Sequence, residues 1–224
     1  MSKEYHVVYE GAEVEIVEKK SRFIATVKPI DSEEEALEFL QNIKKKYWNA
    51  THHCYAYVVG RDNEVMRCSD DGEPSGTAGK PMLDVLLKQN IHNTVVIVTR
   101  YFGGTLLGTG GLVRAYSKAT TEGLASSTVI LKQRATQLNV EADYNGIGKI
   151  QYVLGQLDIP IVRIDYTDTV NLTALVLTDL LEQVKSEITE ATGGKSILKE
   201  DDDVDFAMIG KEPVIFPLEK NREE

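Results

Sequence analysis

The run Thr94-Val95-Val96-Ile97-Val98-Thr99 leads into Arg100-Tyr101-Phe102-Gly103-Gly104-Thr105-Leu106-Leu107-Gly108-Thr109-Gly110-Gly111, and then into Leu112-Val113-Arg114-Ala115-Tyr116. An unbroken β-branched run is the pattern of a strand buried on both faces. Leu112, Ala115/Tyr116, Ala119 and Gly123 fall at helical spacing, so a close-packed helix follows. Between the two stand five glycines. Glycine at such a junction either supplies φ > 0 or lets the backbone approach something closely. Amides at a helix start also favour an anion. Neither nucleotide fingerprint fits. A P-loop needs Lys followed by Ser or Thr after its last glycine, where Leu112-Val113 stand, and the G-x-G-x-x-G spacing is absent. Two readings remain open. One is an anion cradle formed by Gly103, Gly104, Gly108, Gly110 and Gly111 between Arg100 and Arg114, with Lys80 and Arg22 in support. In the other, the glycines serve only tight packing.

Outward from this stretch, residues 5–29 alternate as strands, with turns near Gly11 and Lys20-Ser21. Asp31 with Glu34 reads as a capping box for a helix over 32–46. Strands are expected at 53–59 and 63–69, and Pro81 suits the first turn of a helix. Residues 128–133 would close this first part. After a break near Arg134 the pattern restarts as strand 136–142, a helix with stripe Ile147, Ile150, Leu154, Leu157, strands 160–166 and 170–176, a helix capped by Asp179 and Glu182, and a strand at 195–199. That order, β-α-β-β-α-β, is the split ferredoxin-like arrangement. The predicted fold class is therefore α+β in two domains, 1–134 and 135–205, with 206–224 as a loose tail.

The 224 residues are 42 % hydrophobic, enough for a substantial core. Residues 135–224 hold 8 Lys and Arg against 18 Asp and Glu, which accounts for the whole net charge of −10, while residues 1–134 balance. An acidic second half repels nucleic acid, so any anion site belongs to the first half. No apolar run approaches the roughly 20 residues of a membrane span, and the start Met1-Ser2-Lys3-Glu4-Tyr5 has no leader pattern. The expectation is a cytoplasmic chain whose two cysteines, Cys54 and Cys68, are thiols.

A second run, Asp70-Asp71-Gly72-Glu73-Pro74-Ser75-Gly76-Thr77-Ala78-Gly79-Lys80-Pro81, offers three carboxylates. These could hold Mg²⁺ beside a phosphate. They could instead cap backbone groups of a turn-rich loop, which is the preferred reading. Ser75 lacks the G-x-S-x-G context of a nucleophile. His52 and His53 point to opposite faces of a strand, and no C-x-x-C pair accompanies Cys54 or Cys68, so no metal or cofactor is expected. Asp201, Asp203 and Asp205 lack the glycine of a calcium loop and read as a solvated strand end. Lys44-Lys45-Lys46 ends a helix, beside Tyr47 and Trp48 that could touch nucleic acid.

Three motifs taken together resemble the IMPACT family in its bacterial, YigZ- and YvyE-like branch. They are Ser21-Arg22-Phe23-Ile24-Ala25, the Asp70–Gly79 run, and Arg100-Tyr101-Phe102-Gly103-Gly104 with Gly108-Thr109-Gly110-Gly111-Leu112. The resemblance implies a first domain like that of a ribosomal protein and of GHMP kinases. It implies a second, ferredoxin-like domain resembling the last domain of elongation factor G. Eukaryotic members are translational regulators that restrain a kinase of an initiation factor, using an extra N-terminal domain. Here the motifs begin at Ser21, so that extra domain is expected to be missing, and the resemblance leaves the kinase-regulator role open. The resulting expectation is a translation-associated regulator, not an enzyme, that binds RNA, the ribosome or a phosphorylated ligand through its first domain, with a translation factor as a further partner. A phosphate-handling enzyme of GHMP-kinase-like fold and a pure protein-interaction module are the alternatives.

Overall fold

The computed structural model describes residues 4–216 and 218. The chain is mixed α and β and divides into two compact units, Met1–Leu131 and Lys132–Glu224.

The first unit contains β1 (Glu4–Glu10), β2 (Glu13–Glu18), β3 (Ser21–Pro29), α1 (Glu33–Lys46), β4 (His52–Val59) and β5 (Val65–Ser69). It continues with α2 (Gly79–Lys88), β6 (Ile91–His92), β7 (Thr94–Tyr101) and α3 (Thr109–Ser126). Its main sheet runs β2-β3-β7-β4-β5, antiparallel at every pairing. The expected β-branched strand, β7, is the central one. Its alternation serves two cores: Val96 and Val98 face α2 and α3, whereas Val95 and Ile97 face α1. Both faces are dry, which is why the sequence there shows no polar alternation.

The α1 start differs from the expectation by one residue. Ser32 is the N-cap and its hydroxyl accepts from Glu35 N, while the Glu35 carboxylate accepts from Asp31 N. Ser32 thus caps the helix and Glu35 bonds back to the amide one residue before the cap, where a box of Asp31 with Glu34 was expected.

The unit boundary falls inside β8 (Thr128–Ala142), one strand of 15 residues where two strands separated near Arg134 were expected. The second unit continues with α4 (Ile147–Gln156), β9 (Ile161–Tyr166), β10 (Val170–Leu177), α5 (Leu181–Thr192), β11 (Ile197–Ile209) and β12 (Glu212–Phe216). Its antiparallel order, β9-β10-β8-β11-β12, is the split β-α-β-β-α-β sheet with one added edge strand. Helices α4 and α5 cover one face through Ile150, Leu154, Val184 and Ile188. Helix α5 stops at Gly193 with φ +63, as the glycine pair implied, but Leu180, not Asp179, stands at its N-cap.

Two expectations fail near the end. The strand predicted at 195–199 runs on to Ile209, past a bulge between Glu200 and Asp203. It absorbs the three aspartates, of which Asp203 and Asp205 bond Thr136 and Arg134 across the sheet. Part of the predicted tail is β12, joined by a two-residue turn at Gly210-Lys211. Pro213 argued against a strand, but β12 is an edge strand, where a missing N–H is tolerated. Most of the tail beyond Phe216 lies outside the described residues. Among the described residues no helix is long and apolar enough to cross a membrane.

Candidate functional site

Period-2 alternation decides which side chains meet. On the sheet face that carries α2 and α3, β3 presents Phe23, Ala25 and Val27, β4 presents Cys54, Ala56 and Val58, and β7 presents Val96 and Val98. Extending each strand by two residues adds Ser21, His52 and Arg100 at one end of the same face. Arg100 lies in register with Phe23 on one side and His52 on the other. Tyr116 enters from α3 and is fully buried, and Glu73 enters from the loop before α2.

These residues form one bonded cluster. Arg100 Nη1 donates to Glu73 Oε1 at 2.5 Å, and the Tyr116 hydroxyl donates to the same oxygen at 2.7 Å. Cys54 Sγ lies 3.3 Å from the Tyr116 oxygen and 3.0 Å from the Asp70 carbonyl. His52 Nδ1 is 2.8 Å from the Asp71 carbonyl, so it carries the proton, and Nε2 faces Glu73 Oε1 at 3.8 Å. Arg100 Nη2 donates to Ser21 Oγ, which also accepts from Gly103 N at 3.1 Å. The guanidinium carbon lies within 5.3 Å and 5.7 Å of the Phe23 and Phe102 ring centres. The side chains of Arg100 and Glu73 are 6 % and 3 % exposed, and Arg100 Nε has no partner among the described residues. Burial pushes the Cys54 thiol up to about 12 and raises the Tyr116 phenol further. At neutral pH the cluster therefore holds neither a thiolate nor a phenolate.

In the Asp70–Pro81 loop two of the three carboxylates cap backbone. Asp70 accepts from the amides of Gly76, Ala78 and Gly79 at 2.8–3.0 Å. Burial alone would raise its pKa, but these three donors hold it below the usual value. Asp71, at φ +42, accepts from His53 N at 2.6 Å and from Lys44 Nζ at 3.3 Å. Glu73 departs from the capping expectation, because its partners are Arg100 and Tyr116. Gly72 and Gly76 take φ +89 and +75, and Pro74 accepts from Thr77 at the turn. Ser75 is exposed. Among the described residues no group of three His, Cys, Asp or Glu is placed to hold a metal ion. Burial lowers the His53 pKa, and its Nε2 meets the Tyr47 carbonyl on the other face, so the two histidines do diverge.

The glycine loop is a mixture of the two readings. A Cβ on Gly103 would lie 2.1–2.3 Å from the Lys20 carbonyl and the Ser21 nitrogen, so that glycine is required for packing. Gly104 and Gly108 have φ +80 and +73 and open space around them. Gly110 and Gly111 lie in the first turn of α3, which has no side-chain cap and no acid. The four expected cations separate. Arg100 is buried against Glu73 and does not form a clamp with Arg114, because the alternation that turns Val96 and Val98 inward turns Arg100 inward too. Arg22 pairs with Glu15 and lies over Tyr101, and Lys80 pairs with Asp84 one helical turn on. Arg114 is exposed beside Gly110 and has no partner among the described residues. The sequence carried the signal for Tyr116 as a core residue, but nothing local in it announced that its hydroxyl bonds Glu73.

The three motifs thus meet at one end of the first unit, joined by Ser21, Glu73, Arg100 and Gly103. The family model described as the Impact N-terminal domain matches residues 19–124, and one described as a domain of unknown function, DUF1949, matches residues 140–195. IMPACT family member YvyE of Bacillus subtilis is 44 % identical over 196 residues, covering 88 % of this chain and 90 % of that protein. The chain belongs to the IMPACT family. A second IMPACT family member, YigZ of Escherichia coli, is 41 % identical over 160 residues, 70 % of this chain and 78 % of its own. A solved structure titled "Crystal structure of an hypothetical protein" is similar with a TM-score of 0.57 at 32 % identity, over 90 % of this chain and 99 % of that one.

Proposed function

We propose that this IMPACT-family chain is a translation-associated binding protein whose first unit holds RNA, free or on the ribosome, against the end of the sheet where the three motifs meet. An imbalance of engaged and free charge carries this reading. The acids at that end are occupied: Asp70 by three amides, Asp71 by His53 N and Lys44, Glu73 by Arg100 and Tyr116, and Glu18 by Lys118. Lys19, Lys20, Lys45 and Arg114 are exposed and have no partner among the described residues. Lys19 and Lys20 form the β2–β3 turn at φ +45 and +69, and that turn rests on Gly103. Asn-Gly suits such a turn far better, and a left-handed lysine costs about 1–2 kcal/mol. Two lysines are kept there against that cost. The uncapped start of α3 adds the positive end of a helix dipole.

The unreactive state of Cys54 and Tyr116 supports a binding role over a nucleophilic one. The test is binding of a labelled single-stranded RNA, followed by anisotropy across a salt series. Affinity should fall steeply with salt, and Lys20→Ala and Arg114→Ala should each reduce the log–log slope by about 0.7. Both side chains are exposed, so both variants should fold. Absence of binding at low salt, or unchanged slopes in both variants, would overturn the reading.

A further inference from the structure

We infer that the nucleic acid held at this end is single-stranded and that one of its bases stacks on Trp48; the inference rests on the RNA-binding reading and adds the strandedness and the contact. Trp48 is the only tryptophan of the chain and is 80 % exposed. It sits in the turn after α1, which is fixed in place: Thr51 N donates to the Arg100 carbonyl, and the Tyr101 hydroxyl donates to Asn49 Oδ1 at 3.0 Å. A large ring held on an anchored turn in water, with no apolar cover, has the form of a stacking platform. Lys45, three residues before it, has no partner among the described residues, and Arg22 lies over the Tyr101 ring.

The same end carries a second exposed ring, Phe102 at 48 %, and Leu106 at 82 %. Phe102 lies against Arg100, on the face that carries α2 and α3, whereas α1 and its following turn belong to the opposite face. The two rings therefore flank the sheet end and do not project from one plane. A flat membrane surface needs coplanar apolar groups, and a duplex offers its bases only edge-on. An unpaired strand satisfies both features, since its phosphates meet the free lysines while successive bases present π-faces. An acidic peptide would meet the lysines but would leave the tryptophan without a planar partner.

The lone tryptophan makes the test direct. A short oligouridine, heparin as a polyanion without bases, and anionic phospholipid vesicles are each titrated into the full chain. Oligouridine should quench the tryptophan emission while heparin binds without comparable quenching. Trp48→Ala should weaken oligouridine binding about 5- to 150-fold and leave heparin binding within about 2-fold, and Trp48→Phe should restore most of the loss. The side chain is exposed, so these variants test the contact and not the fold. If RNA and heparin both bind, neither quenches, and Trp48→Ala is neutral, stacking is wrong while the RNA-binding reading survives. If neither polyanion binds, both readings fall. A blue shift with vesicles and no response to oligouridine would assign the surface to a membrane and overturn the inference.

Discussion

Glu73→Gln is the sharpest probe of the cluster. The substitution keeps shape and an oxygen that can accept from Tyr116, but removes the charge opposite Arg100. With both side chains almost wholly buried, an orphaned guanidinium costs about 3–5 kcal/mol. That is about a fifth or more of the roughly 5–15 kcal/mol that holds an ordinary domain folded. The double variant Glu73→Gln/Arg100→Met removes both charges, and it should be milder than the two single losses combined by about 2 kcal/mol or more. Urea unfolding of the full chain by far-UV circular dichroism measures the totals. Hydrogen exchange of the β7 and α3 amides locates the loss in the first unit. Additivity within about 0.5 kcal/mol would mean that the pair does not act as a unit, and the account of the site would fail.

Three other outcomes follow from the same geometry. At neutral pH an alkylating reagent should label exposed Cys68 in the native protein and reach Cys54 only on unfolding, as peptide mass spectrometry can read; comparable labelling of both would contradict the burial of the cluster. Asp70 has a lowered folded pKa, so its contribution is complete above the unfolded carboxylate value of about 3.9 and is lost as pH falls below it toward the folded value; Asp70→Asn should flatten that acid limb of the stability curve, and an unchanged limb would remove Asp70 as the cap. Gly103→Ala drives a methyl into fixed backbone and should destabilise by about 1–3 kcal/mol, whereas Gly110→Ala meets only the end of Arg114 and should be neutral or better by up to about 1 kcal/mol. Equal thermal shifts for the two would refute the packing role of Gly103.

Much of the fold was legible because it rests on local periodicity. The β-branched run at 94–99, the glycine stop at 193–194 and the β-α-β-β-α-β order all appear where spacing placed them. The errors have local causes too. At α1 two overlapping candidates for the box differ by one residue, and at β12 the prolines and charges of the tail hid a strand that follows a two-residue turn. The site was less legible. That Arg100 points inward follows from counting by twos from Val98, but its partner does not, because Glu73 is 27 residues upstream and any of three nearby carboxylates could have answered. Which acid caps and which pairs is settled by loop geometry that composition does not encode.

The bonds that close the cluster also set an order of assembly. Ser21 and Arg100 are 79 residues apart, Cys54 and Tyr116 are 62 apart, and Glu73 and Tyr116 are 43 apart. Such non-local contacts form late, after the chain entropy of bringing distant segments together has been overcome. As the chain emerges from its N-terminus, β3 and β4 precede β7, their central partner, and the Glu73 carboxylate has no cation to meet until Arg100 arrives. The first unit stays unlatched until Tyr116 is out. A nascent segment of more than a hundred residues, with a β-branched strand among them, must therefore wait without its final seal, and that interval is where this chain is most exposed to misfolding or to a chaperone.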